Sequence, residues 1–222
     1  MSDTKIAVKE PKEALFSKKR QKYIKDPLAD DNPVTVQVLG ICSALAVTSV
    51  VKPTLVMAIA VTVVIVASNV LISLLRNAIP GRIRIIVQLA VVATLVALVD
   101  MVLKAFLPSL AAELSVFVGL IITNCIVMGR LEAFAMGNKV WDSALDGLGS
   151  GLGYAWVILV VAVFREVLGQ GKLFGEQIIP EVLYNESIGY VNMGLMTTPV
   201  GAFVIVAIIV WVQRSISGYV EK

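Results

Sequence analysis

Two thiols, Cys42 and Cys125, and two acids in or beside apolar runs, Asp100 and Asp146, are the side chains most able to do chemistry in a chain with no histidine. Without imidazole, bis-histidine haem, Rieske-type ligation and histidine zinc sites are excluded. The cysteines occupy similar phrases, Val38-Leu39-Gly40-Ile41-Cys42-Ser43 and Gly119-Leu120-Ile121-Ile122-Thr123-Asn124-Cys125-Ile126. Taken singly, each behaves as a small hydrophobe in a core. Taken together, at one depth on related helices, they would present half of a four-cysteine iron-sulfur site, with the other half coming from another chain. Gly40 and unwound backbone around Asn124 could offer the N–H donors and close approach that cluster sulfides need. The alternative for Gly40 and Gly119 is helix packing through small residues.

The acids offer hard oxygens that suit a cation better than the thiols do, and carboxylates within a membrane are candidates for an ion path. Each also has a plainer explanation. Asp100 precedes Lys104 by four positions, the favourable order for a helical ion pair. Asp146, just ahead of Gly147, suits the amino terminus of a helix, where the dipole favours an acid. Glu132 near Arg130, and Arg165 beside Glu166, are expected at interfaces, as anchors or contacts with a neighbouring chain.

The elements that must hold these groups are set by composition. The chain has 222 residues, of which 58% are hydrophobic and 16% charged, with a mean hydropathy of +0.87. That balance excludes a water-soluble globule. Two cysteines are too few for a secreted disulfide scaffold. The net charge of +3 comes largely from residues 1–33 and does not point to nucleic acid. Because that charged tail comes first, no signal peptide is expected.

Six charge-poor runs approach the length of about 20 residues that a spanning helix needs. They cover approximately Val34 to Val51, Thr54 to Leu75, Ile85 to Leu103, Leu114 to Gly129, Leu148 to Phe164 and Met196 to Val212. The fourth is short for a full crossing. None alternates with the period of a membrane barrel strand, so the fold class is an all-α membrane bundle. Of the nineteen lysines and arginines, only Lys52, Lys104, Arg165 and Lys172 fall on the side opposite the amino tail. The positive-inside rule therefore makes both termini cytoplasmic.

The two cysteine phrases are each followed by an arginine that ends a helix. Cys42 to Arg76 spans 34 positions and Cys125 to Arg165 spans 40. Two halves of three helices each, about 34–104 and 111–213, follow a tail of 1–33 within a membrane domain of 34–222. Three is odd, so the halves cross in opposite senses, as an inverted repeat with short or broken first and fourth helices. Its pseudo-twofold axis would bring Cys42 and Cys125 together near the midplane.

The runs Asp31-Asn32-Pro33, Val38 through Thr48, Ser115 through Arg130 and Glu132-Ala133-Phe134-Ala135 closely resemble the membrane subunits of bacterial Na⁺-translocating NADH:quinone oxidoreductases, a family that includes membrane subunits of the RNF complex. Cys42-Ser43-Ala44 and Gly171-Lys172-Leu173-Phe174-Gly175 are closer to the quinone reductase branch. The resemblance implies a multi-pass protein of the bacterial inner membrane. In the family, the D and E subunits are homologous six-helix proteins of opposite topology that share an intramembrane [2Fe-2S] cluster, two cysteines from each. Cys42 and Cys125 match those positions, with Gly40 and Asn124 as the cluster's surroundings. The resemblance further implies electron relay coupled to Na⁺ export, in a complex whose A, B, C and F subunits carry flavins and quinone, and no complete active site on this chain. The charged tail departs from the family, and a solvated, topology-setting or lipid-touching arm is the expectation there. Two rivals stand beside this: the equivalent component of an RNF complex, and a stand-alone secondary transporter using Asn69, Thr123 and Asn124 at mid-depth.

Overall fold

A computed structural model describes residues 23–24, 26–28, 31–106, 117–173, 176–177 and 194–217. The basic residues before Tyr23, the beginning of the fourth apolar run at Leu114, and Phe174 and Gly175 of the glycine phrase lie outside the described residues. Helices dominate: α1 (Ile41–Val47), α2 (Val51–Leu75), α3 (Arg84–Phe106), α4 (Cys125–Arg130), α5 (Val140–Gln170), α6 (Gly194–Thr197) and α7 (Pro199–Ser217). Residues 117–122 are also helical. Leu131–Ala135 continues α4 as a π-helical turn. Against the all-α expectation there is one small exception, an antiparallel ladder of Lys172–Leu173 (β1) with Glu176–Gln177 (β2).

Four segments are long and apolar enough to cross a membrane among the described residues: Val51–Leu75, Arg84–Phe106, Phe117–Ala135 and Val140–Gly169, with Pro199–Ser215 a shorter apolar helix. At 1.5 Å per residue, α2 reaches about 38 Å, enough for a hydrocarbon core of about 30 Å.

The first apolar run is not one helix. Asn32 Oδ1 accepts from the backbone N–H of Val34 at 3.0 Å and of Thr35 at 3.4 Å, and Leu39 N donates to Pro33 O at 2.8 Å. These bonds hold 32–39 in irregular turns. Val38 (φ 60°) and Gly40 (φ 78°) then adopt left-handed backbone, and only seven residues of α1 remain. The fifth run also differs from its expected start at Leu148. Its helix begins at Val140, because Asp142 and Asp146 interrupt the apolarity of the stretch without interrupting the helix.

The core is the antiparallel seam between α2 and α5. At one end Arg76 Nη1 and Ser73 Oγ donate to Asn138 O at 2.6 and 2.9 Å. At the other end the backbone N–H of Val51 donates to Glu166 Oε2 at 2.6 Å. Between these ends small residues let the backbones close. A Cβ on Gly147 would lie 3.2 Å from Val66 Cα, and one on Gly151 would lie 3.0 Å from Thr62 Cα. Helix α3 is peripheral and buries only Gln88, Val92 and Val96.

The end of the stretch expected as a solvated tail is packed. Pro27 and Asn32 are buried, and Asn32 Nδ2 donates to Gly153 O on α5 at 3.1 Å. The carbonyls of Tyr23 and Pro27 lie where Cβ atoms on Gly149 and Gly153 would stand, and the Tyr23 ring stacks edge-on against Phe134 at 5.2 Å.

Candidate functional site

Each cysteine sits in the first turn of a short helix that starts at a backbone break. Cys42 is the second residue of α1, after left-handed Gly40. Cys125 is the first residue of α4, after extended Asn124 (φ −68°, ψ 120°), whose side chain accepts from Ile126 N at 3.3 Å. Helix α1 leads toward Val51, beside Glu166. Helix α4 leads through its π turn toward Asn138, beside Arg76. The two short helices therefore run in opposite senses, with their amino ends inside the bundle.

The breaks meet. Asn124 Nδ2 donates to Ser43 Oγ at 3.2 Å. Ser43 Oγ also lies 2.9 Å from Gly40 O and 2.7 Å from the Tyr154 hydroxyl. Gly40 is tightly enclosed: a Cβ there would stand 3.1 Å from Tyr154 Cε2 and 3.3 Å from Asn124 Oδ1, so both side chains would have to give way. A non-glycine residue at its positive φ would add backbone strain. Ser43, Asn124 and Tyr154 are buried, while Cys42 and Cys125, one residue from two of them, are free and exposed on the chain's surface. The neighbours turn inward and the thiols turn outward. Gly119 faces open space, so it does not pack helices together among the described residues.

The acids part company. Asp100 Oδ2 receives Lys104 Nζ at 2.6 Å in an exposed i,i+4 pair. Asp146 is not at a helix amino terminus as expected. It lies within α5, 1% exposed, and is gripped by Arg130 through two guanidinium nitrogens, Nε at 3.0 Å from Oδ2 and Nη2 against Oδ1. Arg130 in turn lies over the Phe134 ring at 5.8 Å. Close by, Asn69 Nδ2 donates to Ser143 O at 3.1 Å. Among the described residues, Asn69 Oδ1, Ser143 Oγ and Ser150 Oγ are left buried without a hydrogen-bond partner. Ser143, Asp146 and Ser150 share one face of α5, being spaced by three and four.

Arg165 and Glu166, expected at an interface, are 2% and 1% exposed. Arg165 reaches five acceptors: Met196 O, Leu45 O, Thr48 Oγ1, Thr197 O and Thr198 O, at 2.8 to 3.2 Å. These match the five N–H donors of a guanidinium. They tie the end of α1 to the junction of α6 and α7. Glu132 does bridge elements, receiving Arg84 Nη2 at 2.6 Å and Gln88 Nε2 at 3.1 Å.

Sequence reasoning missed Tyr154 and the partner of Asp146. A phenol inside a run of glycines and apolar residues was the available signal for the first. The second had none, because Arg130 and Asp146 meet only when the chain turns back between α4 and α5.

Comparison with known proteins gives matches along most of the chain. A family model described as "Rnf-Nqr subunit, membrane protein" matches residues 21–210. The D subunit of the Na(+)-translocating NADH-quinone reductase of Aeromonas hydrophila subsp. hydrophila is 52% identical over 195 residues, covering 88% of this chain and 92% of that protein. The protein of the same name from Photobacterium profundum is 50% identical over 200 residues, covering 90% and 94%.

Proposed function

The chain belongs to the Rnf-Nqr family of membrane subunits, and on that premise we propose that it is the D-type component of a Na⁺-pumping NADH:quinone oxidoreductase, holding half of an intramembrane [2Fe-2S] site. The observation that carries this is the pair of outward-facing thiols on breaks that meet inside the bundle. The residues fit such a group as a half-site. Two thiolates are the ligand type it needs, both open to a neighbouring chain, and each rides on a helix start whose first N–H groups have no intrahelical partner. Cys42 and Cys125 would be its ligands from this side, with two more from a homologous E-type partner. When bound, the cluster supplies a one-electron relay within the membrane. The protein's part is to fix the two sulfurs, to keep water out through the packing of Gly40 on Tyr154, and to tune the site by N–H groups and burial.

The repeat architecture is part of the same proposal. Val51 to Arg76 and Val140 to Arg165 each span 25 positions, and the two arginines reach backbone carbonyls of opposite halves, Arg76 at Asn138 just before α5 and Arg165 at Leu45 within α1. This supports six crossings as an inverted repeat, 34–104 and 111–213, with both termini cytoplasmic in the bacterial inner membrane. The partners would be the E subunit together with the A, B, C and F subunits, which carry the flavins and quinone. For Na⁺, both acids already carry a cationic partner, Arg130 on Asp146 and Lys104 on Asp100. Asp146 is the candidate because the buried oxygens of Asn69, Ser143 and Ser150 near it have no hydrogen-bond partner, whereas Asp100 sits in an exposed pair with no such oxygen beside it among the described residues.

The test is iron content and low-temperature EPR of the purified complex carrying Cys42→Ala or Cys125→Ala. We expect each variant to lose one iron-sulfur signal and NADH-to-quinone turnover while every subunit stays assembled. Full iron and full turnover in both would leave the thiols as surface residues that ligate nothing and favour a stand-alone transporter. In the same preparation, Asp146→Asn should raise the Na⁺ concentration needed for half-maximal turnover and Asp100→Asn should leave it unchanged; identical Na⁺ curves for both would remove Asp146 from the path.

A further inference from the structure

The cysteine turns are joined by the bond from Asn124 Nδ2 to Ser43 Oγ, and that junction itself rests on a third element. Their common anchor is a residue of neither: Tyr154, about four turns into α5 and completely buried. Ser43 Oγ has one proton and two lone pairs. Asn124 Nδ2 fills one lone pair. With the proton placed on Gly40 O, the second lone pair receives the Tyr154 hydroxyl at 2.7 Å. The ring below that hydroxyl packs against the Gly40 backbone, with Cε2 3.1 Å and Cδ2 3.4 Å from where a Cβ would stand. One side chain therefore fixes the residue after Cys42 by hydrogen bonding and the turn before it by contact. Through Ser43, it also fixes the residue before Cys125.

We propose that Tyr154 is a positioning residue that sets the spacing of the Cys42 and Cys125 sulfurs from one rigid point on α5. This deepens the cluster-holding function above and rests on it. The physical ground is that α1 has only seven residues and that α4, eleven residues with its π turn, starts at a backbone break beside Cys125; short helices and helix starts keep little orientation of their own. Their placement must come from what they touch. A hydroxyl bond at the hub of three polar groups is the kind of support that orients ligands without being one. Removing it leaves a lone pair of buried Ser43 unmatched, which the turn relieves by moving.

Tyr154→Phe in the full complex removes the hydroxyl and keeps the ring. The result expected is iron at the parent level with displaced EPR g-values and an altered midpoint potential for the one signal that Cys42→Ala abolishes. Ser43→Ala, which removes the hub from the other side, should displace the same signal, and Tyr23→Phe, remote from the cysteines, should leave it in place. If Cys42→Ala abolishes a signal but Tyr154→Phe and Ser43→Ala leave its g-values and potential as in the parent, the positioning role is wrong and the ligand assignment survives. If Cys42→Ala abolishes no signal, the ligand assignment fails first. If neither Tyr154→Phe nor Ser43→Ala yields an assembled complex, the hub serves folding and the proposal is overturned.

Discussion

Arg130 and Asp146 show what burial does to an ion pair. With side chains 13% and 2% exposed, neither charge can fall back on water, and breaking such a pair by removing one partner strands the other. Lys104 and Asp100, 59% and 23% exposed, can both be solvated if separated. Arg130→Leu should therefore destabilise the protein by about 3–5 kcal/mol, and Asp100→Asn by about 0.5 kcal/mol or less. Thermal unfolding of the detergent-solubilised complex would read the difference; equal losses would mean that burial does not govern these pairs. The exposed pair was legible in the sequence, because i,i+4 spacing on a helix is local geometry. The buried one was not, since its partners are neighbours only through the turn between α4 and α5. Cys42 and Cys125 stood out by type alone, while the hydrogen bonds that orient them depend on Tyr154, which no local pattern connects to either.

At the scale of elements, the α2–α5 seam depends on closeness rather than on large side chains. Gly147 and Gly151 lie one turn apart on the face toward α2, where added Cβ atoms would meet Asn69 Nδ2 at 2.9 Å and Thr62 Cγ2 at 2.8 Å. Without a hydrophobic drive between helices in lipid, such close packing is a main source of cohesion. Gly151→Val should cost about 1–3 kcal/mol by overpacking. Gly81→Ala, with nothing within 4 Å of the new methyl, should be close to neutral in the same melt; a loss there as large as at Gly151 would refute the packing account. Hydropathy located α2 and α3 well because their apolar runs are uninterrupted helix. It misread the first run, since apolarity registers burial and lipid contact but not backbone continuity. There, Asn32, Val38 and Gly40 redirect a chain that stays apolar throughout. The same blindness hid the early start of α5, where two acids sit inside the helix.

Across the whole molecule, contacts sort the connections into two ends. Arg76 meets Asn138, and Arg84 meets Glu132, so the connections after α2 and after α4 share one end. Glu166 meets Val51, and Arg165 joins the end of α1 to the junction of α6 and α7, so these share the other. The first end carries Arg76, Arg82, Arg84, Arg130 and Lys139. The second carries Lys52, Lys104, Arg165 and Lys172, and the excess at the first end, which the basic amino-terminal residues enlarge, is the asymmetry on which the positive-inside rule acts. Because α3 alone connects Arg82 to Lys104 and is long enough to span, these residues must emerge on opposite faces. Arg82→Cys and Lys104→Cys, treated with a membrane-impermeant thiol reagent, should label in inside-out and right-side-out vesicles respectively. Labelling of both from one face would deny α3 its crossing and remove the odd number of spans between the halves. The reversed pattern would keep the crossing but put the basic end outside. Only the expected pattern leaves Cys42 and Cys125 on oppositely directed helices with the basic end inside, the arrangement that the proposed inverted repeat requires.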